Sequence, residues 1–174
     1  MNNAVNESQT VLYFGDNDIS TFNWYGTITR QKMIDVGLVD NTTHKWNKNL
    51  LEAKVGNGIV NLNYDAFSSS SSLTNIILPD SLTAIGQYAF SGCTDLSTIT
   101  IPDGVTVIGK SAFSNCRSLT SFEIPDSVVV ISSYACPSLY SLSSLVIPDS
   151  VVSVGEGAFN GCRSLKDVVV GKNV

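Results

Sequence analysis

The stretch Pro79-Asp-Ser-Leu-Thr-Ala-Ile-Gly-Gln-Tyr-Ala-Phe-Ser-Gly-Cys-Thr-Asp-Leu-Ser-Thr-Ile-Thr-Ile101 spans 23 residues, and three further units of the same length begin at Pro102, Pro125 and Pro148. Each of these opens Pro-Asp-(Gly/Ser)-Val. Agreement at a fixed period, with aliphatic residues in fixed places, is the mark of a solenoid. One coil cannot bury its own apolar face, so neighbours stack and share a continuous core.

Within a coil, Leu96, Ile99 and Ile101 follow the spacing L-x-x-I-x-I, repeated at Leu119, Phe122 and Ile124, at Leu142, Leu145 and Ile147, and at Leu165, Val168 and Val170. Alternation about Ile99 and Ile101 predicts a short strand with one buried face, Thr98 and Thr100 pointing out. Proline ends the strand because it has no N–H for a ladder bond, and Pro-Asp reads as a turn whose Asp side chain bonds nearby backbone N–H groups. The segment Val105 to Gly109 then returns apolar groups to the core. Gly86, Gly109 and Gly155 are expected to supply positive φ just before Ala89-Phe90, Ala112-Phe113 and Ala158-Phe159 enter a short helical or irregular turn. The expected fold is an α/β solenoid of leucine-rich units, with one short parallel strand per coil.

The register extends backwards. Subtracting 23 from the first full unit lands on Leu62, Ala66-Phe67, Leu73 and Ile76. Residues 56–78 are thus a degenerate unit, with Gly56 in the proline place and Ser70 in the cysteine place. In that register Ser68 to Ser72 is an ordered, solvent-facing return loop. The units run 56–78, 79–101, 102–124, 125–147 and 148–170, and Gly171-Lys-Asn-Val174 begins another. A longer array is one reading of that start; self-association through an uncovered end is the other. Residues 1–55 lie outside the period and hold Trp24, Trp46, His44 and two strand-like runs, Val11 to Phe14 and Phe22 to Tyr25. They read as a cap over the first coil, or as an attachment module.

The unit 125–147 departs from its neighbours. Ser132 replaces the glycine, Cys136 the phenylalanine and Leu139 the cysteine, and Pro137 is added; the return segment is expected to be disturbed there.

Composition narrows the function classes. Charged residues are 14% of the chain, against about 25% in typical globular proteins, so Ser, Thr and Asn supply much of the solvated surface. A net charge of -5 and the absence of a Lys/Arg stripe argue against nucleic acid as a partner. Apolar runs such as Val128 to Ile131 fall far short of the ~20 residues of a membrane span. The start, Met1-Asn-Asn-Ala-Val-Asn-Glu-Ser, lacks the basic region and apolar stretch of a secretory signal, which was either removed or never present.

Each candidate for chemistry meets an architectural explanation. Cys93, Cys116 and Cys162 share one repeat position, and spacings of 23 do not form a metal clip. Parallel side chains on coils ~4.8 Å apart do not face each other as a disulfide requires, so buried free thiols are expected. Asp80, Asp103, Asp126 and Asp149 form a second column, read as turn residues, since one carboxylate per coil is a poor supply for a hard cation. His44 has no nucleophile in a hydrolase context and Ser no Gly-x-Ser-x-Gly elbow. Neither a catalytic residue nor a cofactor is assigned.

Surface recognition remains. The outward columns run Asn75, Thr98, Ser121, Ser144, Asp167 and Ile77, Thr100, Glu123, Val146, Val169. The residues assigned to partner binding are Thr98, Thr100, Ser121, Glu123, Ser144, Val146, Asp167 and Val169. Two readings of Val146 and Val169 stay open: an exposed apolar anchor, or strand formers shielded by a neighbouring coil.

The motif Ile101-Pro-Asp-Gly-Val-x-x-Ile-Gly-x-x-Ala-Phe-x-x-Cys-x-x-Leu119 resembles the BspA-type leucine-rich repeat, also called the Treponema pallidum type, closely over residues 79–170 and loosely over 56–78. The resemblance implies a right-handed solenoid without catalytic machinery, and surface proteins that adhere to host or matrix proteins. A non-enzymatic adhesion module binding protein or glycan at a cell surface is therefore the first functional expectation. The second is a structural part of a larger assembly, such as a virion decoration or fibre, attached through residues 1–55.

Overall fold

The computed structural model describes residues 50–56 and 59–174, together with the backbone of two earlier strands. Trp24, Trp46, His44 and Phe22 to Tyr25 lie outside the described residues. The strands are β1 (Val11–Phe14), β2 (Gly26–Ile28), β3 (Glu52–Val55), β4 (Ile59–Leu62), β5 (Asn75–Ile77) and β6 (Ala84–Ile85), followed by β7 (Val107–Ile108), β8 (Val130–Ile131), β9 (Ser144–Ile147), β10 (Ser153–Val154) and β11 (Asp167–Val170). Every pairing is parallel.

Two flanks carry sheets. The back flank is a six-stranded sheet in the order β10-β8-β7-β6-β4-β2. There Ala84 pairs with Val107, Val107 with Val130, and Val130 with Ser153, one repeat apart each time. The front flank holds β1-β3-β5 and, separately, β9-β11. Glu52 pairs with Asn75, so the repeat spacing already holds at β3. β1 and β2 extend the two sheets at their N-terminal ends.

A third flank is built from turns, where a helix was one expectation. No helix occurs among the described residues, and the reason is local. Each coil has two residues in the left-handed region, four apart: Tyr88 (φ 58°) and Gly92 (76°), Ser111 (54°) and Asn115 (59°), Tyr134 (52°) and Ser138 (62°), Gly157 (60°) and Gly161 (73°). A right-handed helix cannot run through such residues. Between them, alternate N–H groups reach the next coil. Tyr88 N donates to Lys110 O at 3.0 Å, Phe90 N to Ala112 O at 2.7 Å and Gly92 N to Ser114 O at 2.7 Å. The intervening groups bond within the coil, Ser91 N to Tyr88 O at 3.0 Å for example. The turns therefore form a third ladder. The fold is a parallel β-solenoid, and the α component of the sequence expectation is corrected.

The column Gly86, Gly109 and Gly155 serves close packing, because its φ angles are not in the left-handed region. A Cβ at Gly109 would lie 2.7 Å from the carbonyl carbon of Gly86 and 2.8 Å from Gln87 N. Where coils touch, Gly109 stacks on Gly86, and Gly155 on Ser132 and Ser133. Positive φ falls two residues later, on Tyr88, Ser111 and Gly157, and in the unit that has Ser132 in the glycine place, on Tyr134.

The turn after each proline is closed by the main chain, Leu82 N donating to Pro79 O at 3.0 Å and Val105 N to Pro102 O at 3.0 Å. Among the described residues, Asp149 alone in its column shows a side-chain hydrogen bond, and it accepts from Lys172 N of the next coil at 2.9 Å. All four aspartates do sit in turns, as expected; the part corrected is the expected side-chain bond to an N–H of the same turn.

The core is one continuous cluster running from Leu50 to Ala158. Phe67, Phe90 and Phe113 stack, with ring centroids 5.6 and 5.2 Å apart. Ser68 to Ser72 form ordered turns, as expected, although Ser70 in the cysteine place is buried. The unit 125–147 keeps its return segment intact: Cys136 N donates to Ala158 O at 2.7 Å and Ser138 N to Asn160 O at 2.8 Å. Pro137 occupies a place whose N–H bonds only within its own coil in the other units, so the proline removes one local bond and leaves the inter-coil ladder whole.

Candidate binding face

The front flank follows from the alternation in each coil. Ile99 and Ile101, Phe122 and Ile124, and Leu145 and Ile147 turn inward and are buried. All eight residues assigned to binding, Thr98, Thr100, Ser121, Glu123, Ser144, Val146, Asp167 and Val169, are exposed on this one flank. Val146 pairs with Val169 in register. At exposures of 58% and 60%, neither is shielded by a neighbouring coil. Ile77 adds a third exposed aliphatic group to the same column, at 53%. Val168 and Val170, expected in the core, are exposed at the end of the stack.

The front sheet is not continuous. Residues 98–101 and 121–124 keep the exposed-buried alternation of strands, yet no ladder bond joins them to each other or to β5 and β9 among the described residues. The last bond before the break is Thr120 N to Ser97 O at 3.3 Å. This corrects the expectation of a strand at the L-x-x-I-x-I place of every coil, although each unit still holds a strand on the back flank. The break covers the coils of Ile99 and Phe122, and Phe122 places a buried ring where Ile76, Ile99 and Leu145 stand in other coils. A cleft of about 460 Å³ opens there, lined among others by Thr98, Thr100, Asp103, Ser121, Glu123 and Asp126.

Beside this flank lies a feature that sequence reasoning missed. Tyr140 carries Arg117 and Arg163 over its ring, with guanidinium carbons 5.4 and 5.5 Å from the centroid. The three residues stand one repeat apart in a single column, so the period contained the signal. Such contacts hold two cations in fixed places on an acidic chain.

The cysteines are free. Cys93 Sγ donates to Phe67 O at 3.2 Å and Cys116 Sγ to Phe90 O at 3.1 Å, each reaching the coil before it. Burial pushes the Cys116 thiol up to about 12. Burial also raises Cys136 well above its ordinary value, and Cys162 to a smaller extent. Thiols held protonated in this way are weak nucleophiles, and their role is filling.

Fold and face together define a class: a parallel repeat solenoid that presents one regular, polar-to-aliphatic flank, an architecture generally used for protein interaction. The chain belongs to the BspA-type leucine-rich repeat family, whose profile matches residues 39–174 in six copies. Among solved structures it is similar to a leucine-rich repeat protein of T. pallidum, at 30% identity and TM-score 0.65, over 75% of this chain and 72% of that one. A leucine-rich repeat protein from Bacteroides ovatus is 29% identical, with TM-score 0.65, over 72% of this chain and 35% of its own length. The pneumococcal vaccine antigen PcpA shares the fold at 22% identity and TM-score 0.70, over 94% of this chain and 41% of its own. The chain thus spans well under half of these last two proteins. A comparison with curated proteins finds no match. No helix among the described residues is long and apolar enough to cross a membrane.

Proposed function

We propose that the front flank is the recognition surface of a non-enzymatic adhesion module, binding a protein or glycan ligand at a cell surface. One observation carries this reading. The in-register pair Val146 and Val169 stands more than half exposed beside a column of small hydroxyl groups. A contiguous exposed apolar patch rimmed by polar residues is a mark of an interaction site. The low charge content and Ser/Thr-rich exterior suit an extracellular setting.

The test is solid-phase binding to a panel of immobilised extracellular-matrix proteins and glycans. For any ligand that binds the parent, the combined variant Thr100→Ala, Glu123→Ala, Val146→Ala is expected to bind at least about tenfold more weakly, with an unchanged circular dichroism spectrum. Full affinity in the folded variant would remove this face from consideration.

A further inference from the structure

We propose that the corner built by Arg117, Tyr140 and Arg163 binds a linear, sulfate-bearing glycan along the stacking direction of the coils. The site shares no residue with the recognition surface assigned to the front flank, and goes beyond that reading.

Charge is the first ground. Three successive coils meet this corner with residues 117–120, 140–143 and 163–166, which include Arg117, Arg163 and Lys166 and no carboxylate. All three cations are exposed, and no ion pair engages them among the described residues. Asp95 lies in the coil before and Asp167 follows Lys166, so carboxylates border the column without entering it. A chain of net charge -5 thus carries a local positive column, which attracts an anion against the sign of the whole.

Two of these cations are held ready. The guanidinium carbons of Arg117 and Arg163 lie 5.4 and 5.5 Å from the Tyr140 centroid, and Arg117 Nη2 donates to Asn115 Oδ1 at 3.4 Å. Two repeats separate the arginines, roughly 10 Å at ~4.8 Å per coil. A guanidinium stacked on a ring keeps its fork of N–H donors for oxyanions, and fixing it beforehand lowers the ordering cost of binding.

The main chain adds donors at the same corner. Asp95 N donates to Ser71 O at 3.1 Å and Ser118 N to Thr94 O at 3.2 Å. This ladder ends there: Ser141 N and Ser164 N have no acceptor among the described residues, and the Ser141 hydroxyl donates to Arg117 O instead, at 2.8 Å. N–H groups are left over in the two coils that hold Tyr140 and Arg163.

These features select the ligand. Cations repeated along a column call for a chain with repeated anionic groups. Thr120, Ser141 and Ser143 are exposed on the same segments, and such hydroxyl-bearing surroundings suit a sugar chain. A single-stranded nucleic acid needs aromatic faces for its bases, whereas Tyr140, the one ring in these three segments, already carries guanidiniums. A sulfate ester stays ionised and offers several oxygens to the forks and N–H groups together.

Calorimetry on the full chain tests this with a size-defined heparin oligosaccharide. The same oligosaccharide stripped of sulfate but keeping its carboxylates, and a single-stranded oligothymidine, serve as comparisons. Saturable binding of the sulfated form, at least about tenfold tighter than either comparison and weakened by added salt, is the expected result. Arg117→Ala with Arg163→Ala is expected to abolish it; should that variant fail to fold, Arg117→Gln with Arg163→Gln is expected to do the same. Lys110→Ala with Lys172→Ala removes the same charge elsewhere and is expected to leave affinity within about twofold. An equal loss in that control would mean unspecific charge attraction, and overturns the inference. Failure of the sulfated oligosaccharide to bind, or equal binding of either comparison, overturns it as well. The front-flank variant Thr100→Ala, Glu123→Ala, Val146→Ala is expected to bind the sulfated oligosaccharide as the parent does; loss there would move the glycan to the front flank and overturn the corner site alone.

Discussion

The ring of Phe122 meets the ring of Phe113 edge-on, with centroids 5.0 Å apart and planes at 72°. Phe113 ends the stack begun by Phe67 and Phe90, because the next ring place holds Cys136. The two departures from the repeat thus compensate each other: a ring missing from the turn flank is supplied from the front flank.

This compensation predicts coupling. Phe122→Ala should cost about 3–5 kcal/mol as a cavity-forming core truncation, and Cys136→Phe alone about 1–3 kcal/mol by overpacking. The pair Phe122→Leu with Cys136→Phe should be less destabilised than the sum of its single variants by about 1 kcal/mol or more. Urea unfolding midpoints of the four proteins give the answer, and strict additivity would contradict it.

The two kinds of glycine should respond differently. Gly109→Ala drives a Cβ against the backbone of the preceding coil and is expected to cost about 1–3 kcal/mol. At Gly92 there is room, the nearest atom to a new Cβ lying 3.5 Å away, but φ is 76°. Gly92→Ala should therefore cost about 1–2 kcal/mol through backbone strain, whereas Gly92→Asn should be nearly neutral, since Asn115 adopts φ 59° at the equivalent place. Thermal midpoints of these three variants are the check.

Thiol chemistry should follow burial. Cys162 is the least buried of the four cysteines and is expected to react first with a thiol reagent near pH 8, while Cys93, Cys116 and Cys136 wait for unfolding. The folded chain keeps Cys116 protonated up to about 12, against 9.0 ordinarily. The unfolded chain therefore loses that proton first as pH rises, so it binds fewer protons than the folded one, and stability falls between those two values. Cys116→Ala should flatten that alkaline decline in a denaturation series. An unchanged slope would count against burial as its cause.

Asp149 should titrate low. Lys172, through its backbone N–H and its ammonium at 2.9 Å, holds the carboxyl below its usual 3.8. The stabilisation is present above 3.8 and disappears as pH falls through the lowered value. Carbon-detected NMR titration of Lys172→Ala should show the Asp149 midpoint moving up, with the backbone bond leaving part of the shift in place.

Much of this architecture was legible in the chain because the period constrains many residues at once. Ala89, Phe90, Cys93 and Leu96, read as inward by their recurrence, are all fully buried. The exposed columns could be named for the same reason. What escaped was the form of the return segment. Left-handed backbone is usually inferred from glycine, yet here Tyr88, Ser111 and Tyr134 adopt it, and the N–H groups of Tyr88 and Tyr134 bond the next coil, a contact that no local pattern reveals. The break in the front sheet escaped too. Phe122 looks like one more apolar residue in its column, and its consequence depends on the size of a residue one coil away. The Arg117-Tyr140-Arg163 column was available from the period, but its members differ in type from coil to coil, so it lacks the residue identity that makes the buried columns stand out.

The three flanks differ in how far their hydrogen bonding runs. Back and turn ladders pass through every unit from 79 to 170, and the front one is interrupted over two of them. A rod tied along two sides and slit along the third bends most easily about the slit. The softest deformation of the stack is then one that opens or closes the front flank between residues 98–101 and 121–124, with the back and turn ladders acting as the hinge.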